Sequence, residues 1–216
     1  MSGLVRALIM AKAPIPGAVK TRLKLAPEKA ARLQEALLVD AVEKARAFVG
    51  PTTVAGAPSD LLGLITPLLP DSVKLIAQVE GDLGRKMFAA AAALFNESSE
   101  PLLILGADAP TLPPEYIVRA ARALETHDAS ITPSTDGGYV LLGLREPHED
   151  FFSGIEWSTE AVYGQTLARA AAAGLSLHET EPWYDLDTPE DLRRLETELY
   201  RRPDLSPRVA RMLENI

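Results

Sequence analysis

The chain has 216 residues, a formal net charge of −8, 47% hydrophobic residues and no cysteine. That composition fits one core and one domain over 1–216, and the acid excess excludes the broad basic stripe needed to coat a nucleic acid. The absence of cysteine excludes thiol nucleophiles, thiolate zinc sites and disulfides.

Short apolar runs alternate with helical stretches along most of the chain. The run at 4–11 predicts a first strand. It is followed by KAPIPGAVKTRLK, Lys12 to Lys24, which carries four cations (Lys12, Lys20, Arg22 and Lys24) and no acid. Such a run is usually a solvated face. An ion pair about 4 Å apart is worth roughly 1 kcal/mol in water and about 4 kcal/mol in a partly desolvated cleft, so the loop gains energy by closing over a small anion. The spacing at 27–48 then predicts an amphipathic helix with Leu33, Leu37, Ala41, Ala45 and Phe48 on one face. Strands follow at 52–57 and 73–77, a helix at 82–96, a strand at 101–107 and a helix at 114–125. A strand at 129–133 and another at 139–144 are separated only by a few residues containing Asp136-Gly137-Gly138, which predicts a tight reversal with positive φ at the glycines. A helix at 159–173 ends at Gly174 in a C-cap position, a strand covers 175–179, and Thr188-Pro189 with Asp191 predicts a capped helix start. The tail beyond Arg201, broken by Pro203, predicts a last short helix.

This order specifies an α/β fold: a mostly parallel central sheet with one antiparallel excursion and helices on both faces, a three-layer sandwich. No apolar run reaches the length of a membrane span. The Ala-x-Ala at Ala11–Ala13 follows an apolar segment too short for a signal peptide. The expectation is a soluble cytoplasmic protein.

Familiar sites are absent. Lys20-Thr21 follows Val19 where a Walker A loop requires glycine, and no G-x-G-x-x-G or G-x-S-x-G occurs. The three histidines, His127, His148 and His178, are too dispersed for a metal motif and read as surface residues. Two acidic segments stand out. Asp108, in GADAP, lies directly after the apolar run PLLIL, at the carboxyl end of a strand where open α/β sheets bind ligands. Asp185 and Asp187, in DLDTPEDL, precede the capped helix, whose capping explains Thr188 and Asp191 but neither of these two. Two carboxylates from separate strand ends suit a hard divalent ion whose remaining ligands are water and substrate phosphates. In that arrangement Lys20 and Arg22 face the ion across a polyphosphate. The ordinary alternatives are a turn role for Asp108 before Pro110 and packing for Tyr139, Trp157 and Trp183.

Taken together, KAPIPGAVKTRL, QVEGDLGRKM, LGADAPTLP, PSTDGGYVLLGL, Trp157-Ser158 and DLDTPEDL resemble the small bacterial transferases of the nucleotide-diphospho-sugar transferase superfamily. That resemblance extends to glycosyltransferase-like proteins linked to arsenosugar biosynthesis, and more distantly to 2-phospholactate and molybdenum-cofactor guanylyltransferases and cytidylyltransferases. It implies a GT-A fold and a cytoplasmic, Mg²⁺- or Mn²⁺-dependent transferase that uses a nucleotide or nucleotide-sugar donor and a small-molecule acceptor. It further implies phosphate-binding roles for Lys12, Lys20 and Arg22, and metal ligation by Asp108 and by Asp187 or Asp185. A nucleobase loop is implied at Gly81, Asp82 and Arg85, and a substrate-side loop at Asp136, Gly137 and Gly138, with Asp136 a candidate base. The first loop has Pro14 and Pro16 where nucleotidyltransferases carry G-x-G-x-R-M, which favours glycosyl transfer from a nucleoside-diphosphate sugar. Nucleotidyl transfer and nucleotide binding without turnover are the alternatives.

Overall fold

The computed structural model describes residues 4–214. Seven strands form one sheet: β1 (Arg6–Lys12), β2 (Thr52–Ala57), β3 (Lys74–Ala77), β4 (Leu102–Gly106), β5 (Ala129–Pro133), β6 (Tyr139–Leu144) and β7 (Leu177–Glu179). Their spatial order is β3-β2-β1-β4-β6-β5-β7. β1 pairs in parallel with β2 and β4, β2 with β3, and β5 with β7. Only β6 runs against its neighbours, pairing antiparallel with both β4 and β5. The expected antiparallel excursion is thus one strand inserted in the middle of the sheet, not an edge hairpin.

Six α-helices lie among the described residues: α1 (Pro27–Phe48), α2 (Leu83–Glu97), α3 (Pro114–Ala123), α4 (Val162–Ala172), α5 (Pro189–Arg201) and α6 (Pro207–Leu213). Because side chains alternate across a strand, Ala7, Ile9 and Ala11 of β1 pack on one face with α1 and α3. Leu8 enters the opposite core with Met87, Ala90 and Ala91 of α2 and Ala170 of α4. Strands covered on both faces read as nearly unbroken apolar runs, which is why β1, β4 and β6 were recognisable from sequence.

One expectation about α1 is corrected. Its buried residues do not form one stripe ending at Phe48, which is 44% exposed. Leu38, Val42 and Ala45 face the sheet, while Leu33 and Leu37 face α5 and α6 in a third apolar cluster with Leu195, Leu199 and Val209. The C-terminal helices form an outer layer over α1, so the helix is buried on two sides.

Gly174 stands at φ 69° just past α4, in the expected capping position. Thr188 caps α5: its hydroxyl accepts from the Asp191 amide, and the Asp191 carboxylate accepts from the Thr188 amide. In the β5–β6 turn Gly137 alone has positive φ, 93°, and a side chain there would collide with the Glu160 backbone. Gly138 does not share that conformation, contrary to the expectation for both glycines.

No helix among the described residues is long and apolar enough to cross a membrane.

Candidate active site

The carboxyl ends of β1 and β4, the β5–β6 turn and the segment leading into α5 converge on one cleft of about 900 Å³. The parallel topology dictates this placement. Loops leaving β1 and β4 emerge on the same edge, and antiparallel β6 begins there because it enters the sheet from the opposite direction.

The opening loop is anchored over the cleft by its cations. Lys20 Nζ stands 2.8 Å from Asp108 Oδ1 and donates to the Leu186 carbonyl at 2.8 Å, so one ammonium ties β1, β4 and the acidic segment before α5. Its side chain is only 6% exposed. Arg22 Nη1 donates to Asp187 Oδ2 at 2.6 Å across the cleft mouth. Arg22 lies in a single 3-10 turn, Thr21–Leu23, flanked by Lys20 at φ 50° and Lys24 at φ 57°. Left-handed backbone at a non-glycine residue costs about 1–3 kcal/mol and persists only where surrounding contacts hold it.

Asp185 sits deeper, accepting from Ser134 Oγ at 2.7 Å. Burial holds its carboxyl above the usual range; the Ser134 hydrogen bond opposes this, and the nearby charges of Asp136 and Asp108 add to the rise. Asp136 is exposed and accepts from the Gly138 amide at 2.9 Å.

Of the residues singled out in the sequence, Lys12, Lys20, Arg22, Asp108, Asp136, Gly138, Asp185 and Asp187 line this cleft. Gly137 shapes the turn behind it. Gly81, Asp82 and Arg85 are not among the lining residues. Asp82 is instead the N-cap of α2, accepting from the Arg85 amide at 2.8 Å, and Gly81 at φ 130° lies against the Arg85 side chain. Their neighbours Leu83 and Lys86 reach the cleft in their place.

Sequence reasoning missed Lys86, Gln78 and Glu160 as lining residues. Gln78 is held by its amide, which donates to the Ala11 and Ala55 carbonyls at 3.1 and 2.7 Å. Only Lys86 had a legible signal, one turn beyond the α2 cap on the strand-end side. Trp157 also lines the cleft, fixed by Nε1 donating to the Phe152 carbonyl at 3.3 Å and by Gly84, where any side chain would overlap the indole.

Among the described residues no group of three or more carboxylate or histidine side chains is arranged to hold a metal ion. Asp108, Asp185 and Asp187 are therefore not a self-sufficient triad. Asp108 and Asp187 nevertheless supply hard oxygen donors at the cleft, a set that fits Mg²⁺ or Mn²⁺ with water and phosphate as further ligands. The β5–β7 pairing brings the His127 and His178 rings to 5.4 Å in an edge contact.

The chain is 30% identical to a Desulfovibrio desulfuricans protein provisionally assigned as a nucleotide-diphospho-sugar transferase, with a TM-score of 0.89 over 98% of this chain and 94% of that one. A nucleotidyl transferase of Methanothermobacter thermautotrophicus shares the fold at 15% identity and TM-score 0.64, covering 92% of this chain and 99% of that one. So does CMP:2-keto-3-deoxy-manno-octonic acid synthetase complexed with CTP, at 12% identity and TM-score 0.59, with 92% and 99% covered. No functionally curated protein matches the sequence. The model of one bacterial family, DUF2064, described as uncharacterized protein conserved in bacteria, matches residues 38–159, more than half of the chain, and the chain belongs to that family.

Proposed function

We propose that the protein is a metal-dependent transferase acting on a nucleotide-activated donor, and that it transfers a glycosyl group from a nucleoside-diphosphate sugar to a small-molecule acceptor. The observation that carries this reading is the closure of the cationic loop on both acidic segments over one cleft, through Lys20 with Asp108 and Arg22 with Asp187. The 30% identity to a protein provisionally assigned as a nucleotide-diphospho-sugar transferase supports it.

In this reading Lys20 and Arg22 bind the donor's diphosphate and stabilise the charge that develops as it leaves. The acceptor hydroxyl oxygen forms a bond to the anomeric carbon, the bond from that carbon to the diphosphate oxygen breaks, and its electron pair departs with the diphosphate. Asp136, exposed at the cleft, takes the hydroxyl proton. Asp108 and Asp187 would hold Mg²⁺ or Mn²⁺, which would supply further positive charge for the leaving group. Trp157 and Tyr139 close the side of the cleft next to Asp136 and limit water there.

The second reading is nucleotidyl transfer, in which an acceptor phosphate attacks the α-phosphorus of a nucleoside triphosphate and pyrophosphate leaves. The fold shared with a nucleotidyl transferase favours it; Pro14 and Pro16, in place of a glycine-rich phosphate cradle, oppose it. Calorimetric titration with nucleoside triphosphates and nucleotide sugars, with and without Mg²⁺ or Mn²⁺, tests both. Metal-dependent binding of a nucleotide sugar that Asp108→Asn abolishes is the expected result. Pyrophosphate release from a triphosphate would select the second reading, and no binding to any member would overturn both.

A further inference from the structure

Every carboxylate that would ligate the metal already has a partner within the protein. Lys20 holds Asp108 and Arg22 holds Asp187, while Asp185 accepts from Ser134. Charges across the cleft are close to balance. Lys12 and Lys86 join Lys20 and Arg22, and Asp136, Asp185 and Glu160 join the two paired aspartates. A bare divalent ion entering here meets an Asp108 carboxylate that is half exposed but already paired through Oδ1 with the Lys20 ammonium, which stays close to the incoming charge because its own side chain is only 6% exposed. At such a partly desolvated site, unit like charges about 4 Å apart repel by about 4 kcal/mol at most, and less where water reaches them. A diphosphate changes this balance. Its oxygens accept both cations, releasing the aspartates at the moment when the metal adds compensating positive charge.

We propose that Lys20 and Arg22 are resident counter-ions that keep Asp108 and Asp187 from binding a free divalent ion, so that the cleft takes up metal and diphosphate together, as one complex. The proposal rests on the donor-binding reading above but extends it from the identity of the ligands to their coupling. Thermodynamic linkage makes that coupling reciprocal: diphosphate raises metal affinity by the factor by which metal raises diphosphate affinity.

Mn²⁺ binding followed by the electron paramagnetic resonance of the free ion tests the coupling, with inorganic pyrophosphate as the diphosphate probe and protein-free blanks to subtract the complex formed in solution. The wild-type protein is expected to bind bare Mn²⁺ at least tenfold more weakly than Mn²⁺ with pyrophosphate. Lys20→Met, which keeps the side-chain length and removes the charge, is expected to raise affinity for bare Mn²⁺ about tenfold and to shrink the coupling. Asp108→Asn is expected to lose Mn²⁺ binding in both conditions. Lys20→Gln provides the same readout if the methionine variant does not fold, as judged by its melting transition. Equal Mn²⁺ affinity with and without pyrophosphate in the wild type, no Mn²⁺ binding under either condition, or unchanged affinity for bare Mn²⁺ on neutralising Lys20 would each overturn the proposal. Pyrophosphate carries neither base nor sugar, so a protein that shows this coupling but binds no nucleotide would sink the transferase reading and leave the counter-ion role standing.

Discussion

Arg22 reaches across the cleft mouth with a side chain 75% exposed, to an aspartate that is itself 42% exposed. A pair so open to water contributes at most about 1 kcal/mol to folding, so its loss barely affects stability. Its value appears when a phosphate replaces the carboxylate, because a guanidinium binds phosphate oxygens through two parallel hydrogen bonds. Charge-assisted bonds of this kind are worth about 1.5–3 kcal/mol. Arg22→Ala is therefore expected to weaken binding of pyrophosphate and nucleoside diphosphates roughly 10- to 100-fold while leaving nucleoside binding unchanged, as read by calorimetry. Equal losses for diphosphates and nucleosides would count against phosphate contact. The sequence marked Lys20 and Arg22 as unusual because they are cations in an acid-free loop. It did not show that Lys20 also donates to the Leu186 carbonyl, since that bond joins residues 166 positions apart.

The C-terminal layer depends on an acid that sequence reading passed over. Asp40 lies within α1, 4% exposed, where an aspartate is a poor helix former and earns no local explanation. Its carboxylate accepts from Ser206 Oγ and from the amides of Arg208 and Val209 at 3.0 and 3.1 Å, so it caps α6 from another helix. No side chain within α6's own cap residue does this. Asp40→Ala leaves two amides and a hydroxyl without their acceptor in a buried setting, and the expected loss is about 2–3 kcal/mol in denaturant unfolding. Hydrogen exchange should rise first in residues 207–213; a midpoint and exchange pattern matching wild type would refute the cap. The α5 cap, by contrast, was legible because Thr188, Pro189 and Asp191 are adjacent in the chain and their spacing is the signal.

Across the whole molecule, Lys44 links the α1 layer to the loop that carries Asp108. Its ammonium donates to the carbonyls of Pro110 and Leu112 at 2.6 and 3.0 Å. Burial lowers its pKa to about 8, against the opposing pull of Asp40 and Glu198. The sign of the resulting pH dependence follows directly. In the unfolded chain the lysine keeps its proton to an ordinary value near 10.5, whereas the folded protein releases it above about 8. The charged form therefore penalises the fold below pH 8, and that penalty fades as pH rises from about 8 to 10.5. Unfolding free energy of the wild type relative to Lys44→Met should climb in this window, by at most about 1.4 kcal/mol per pH unit. A flat difference through the window would show that Lys44 does not titrate there. Loosening of the Asp108 loop in the variant is expected to reduce donor binding as well, since the loop loses its support from below.

The sequence by itself determined the inventory of elements and the two acidic segments. Strands buried on both faces read as nearly unbroken runs of apolar and small residues, and turns and caps are local, so β2, β5, β6 and α1 carry their boundaries in neighbouring residues. It determined the candidate phosphate and carboxylate groups because charge type and position after a strand are readable without coordinates. Only the tertiary structure decided that β6 lies between β4 and β5, that α1 is buried on two sides, and that Gly81, Asp82 and Arg85 stand outside the cleft while Lys86 stands within it. It alone paired Lys20 with Asp108 and Arg22 with Asp187. Each of these is a contact between residues far apart in the chain, set by the order of strands in the sheet and the direction in which each side chain leaves its element, neither of which is encoded in local spacing.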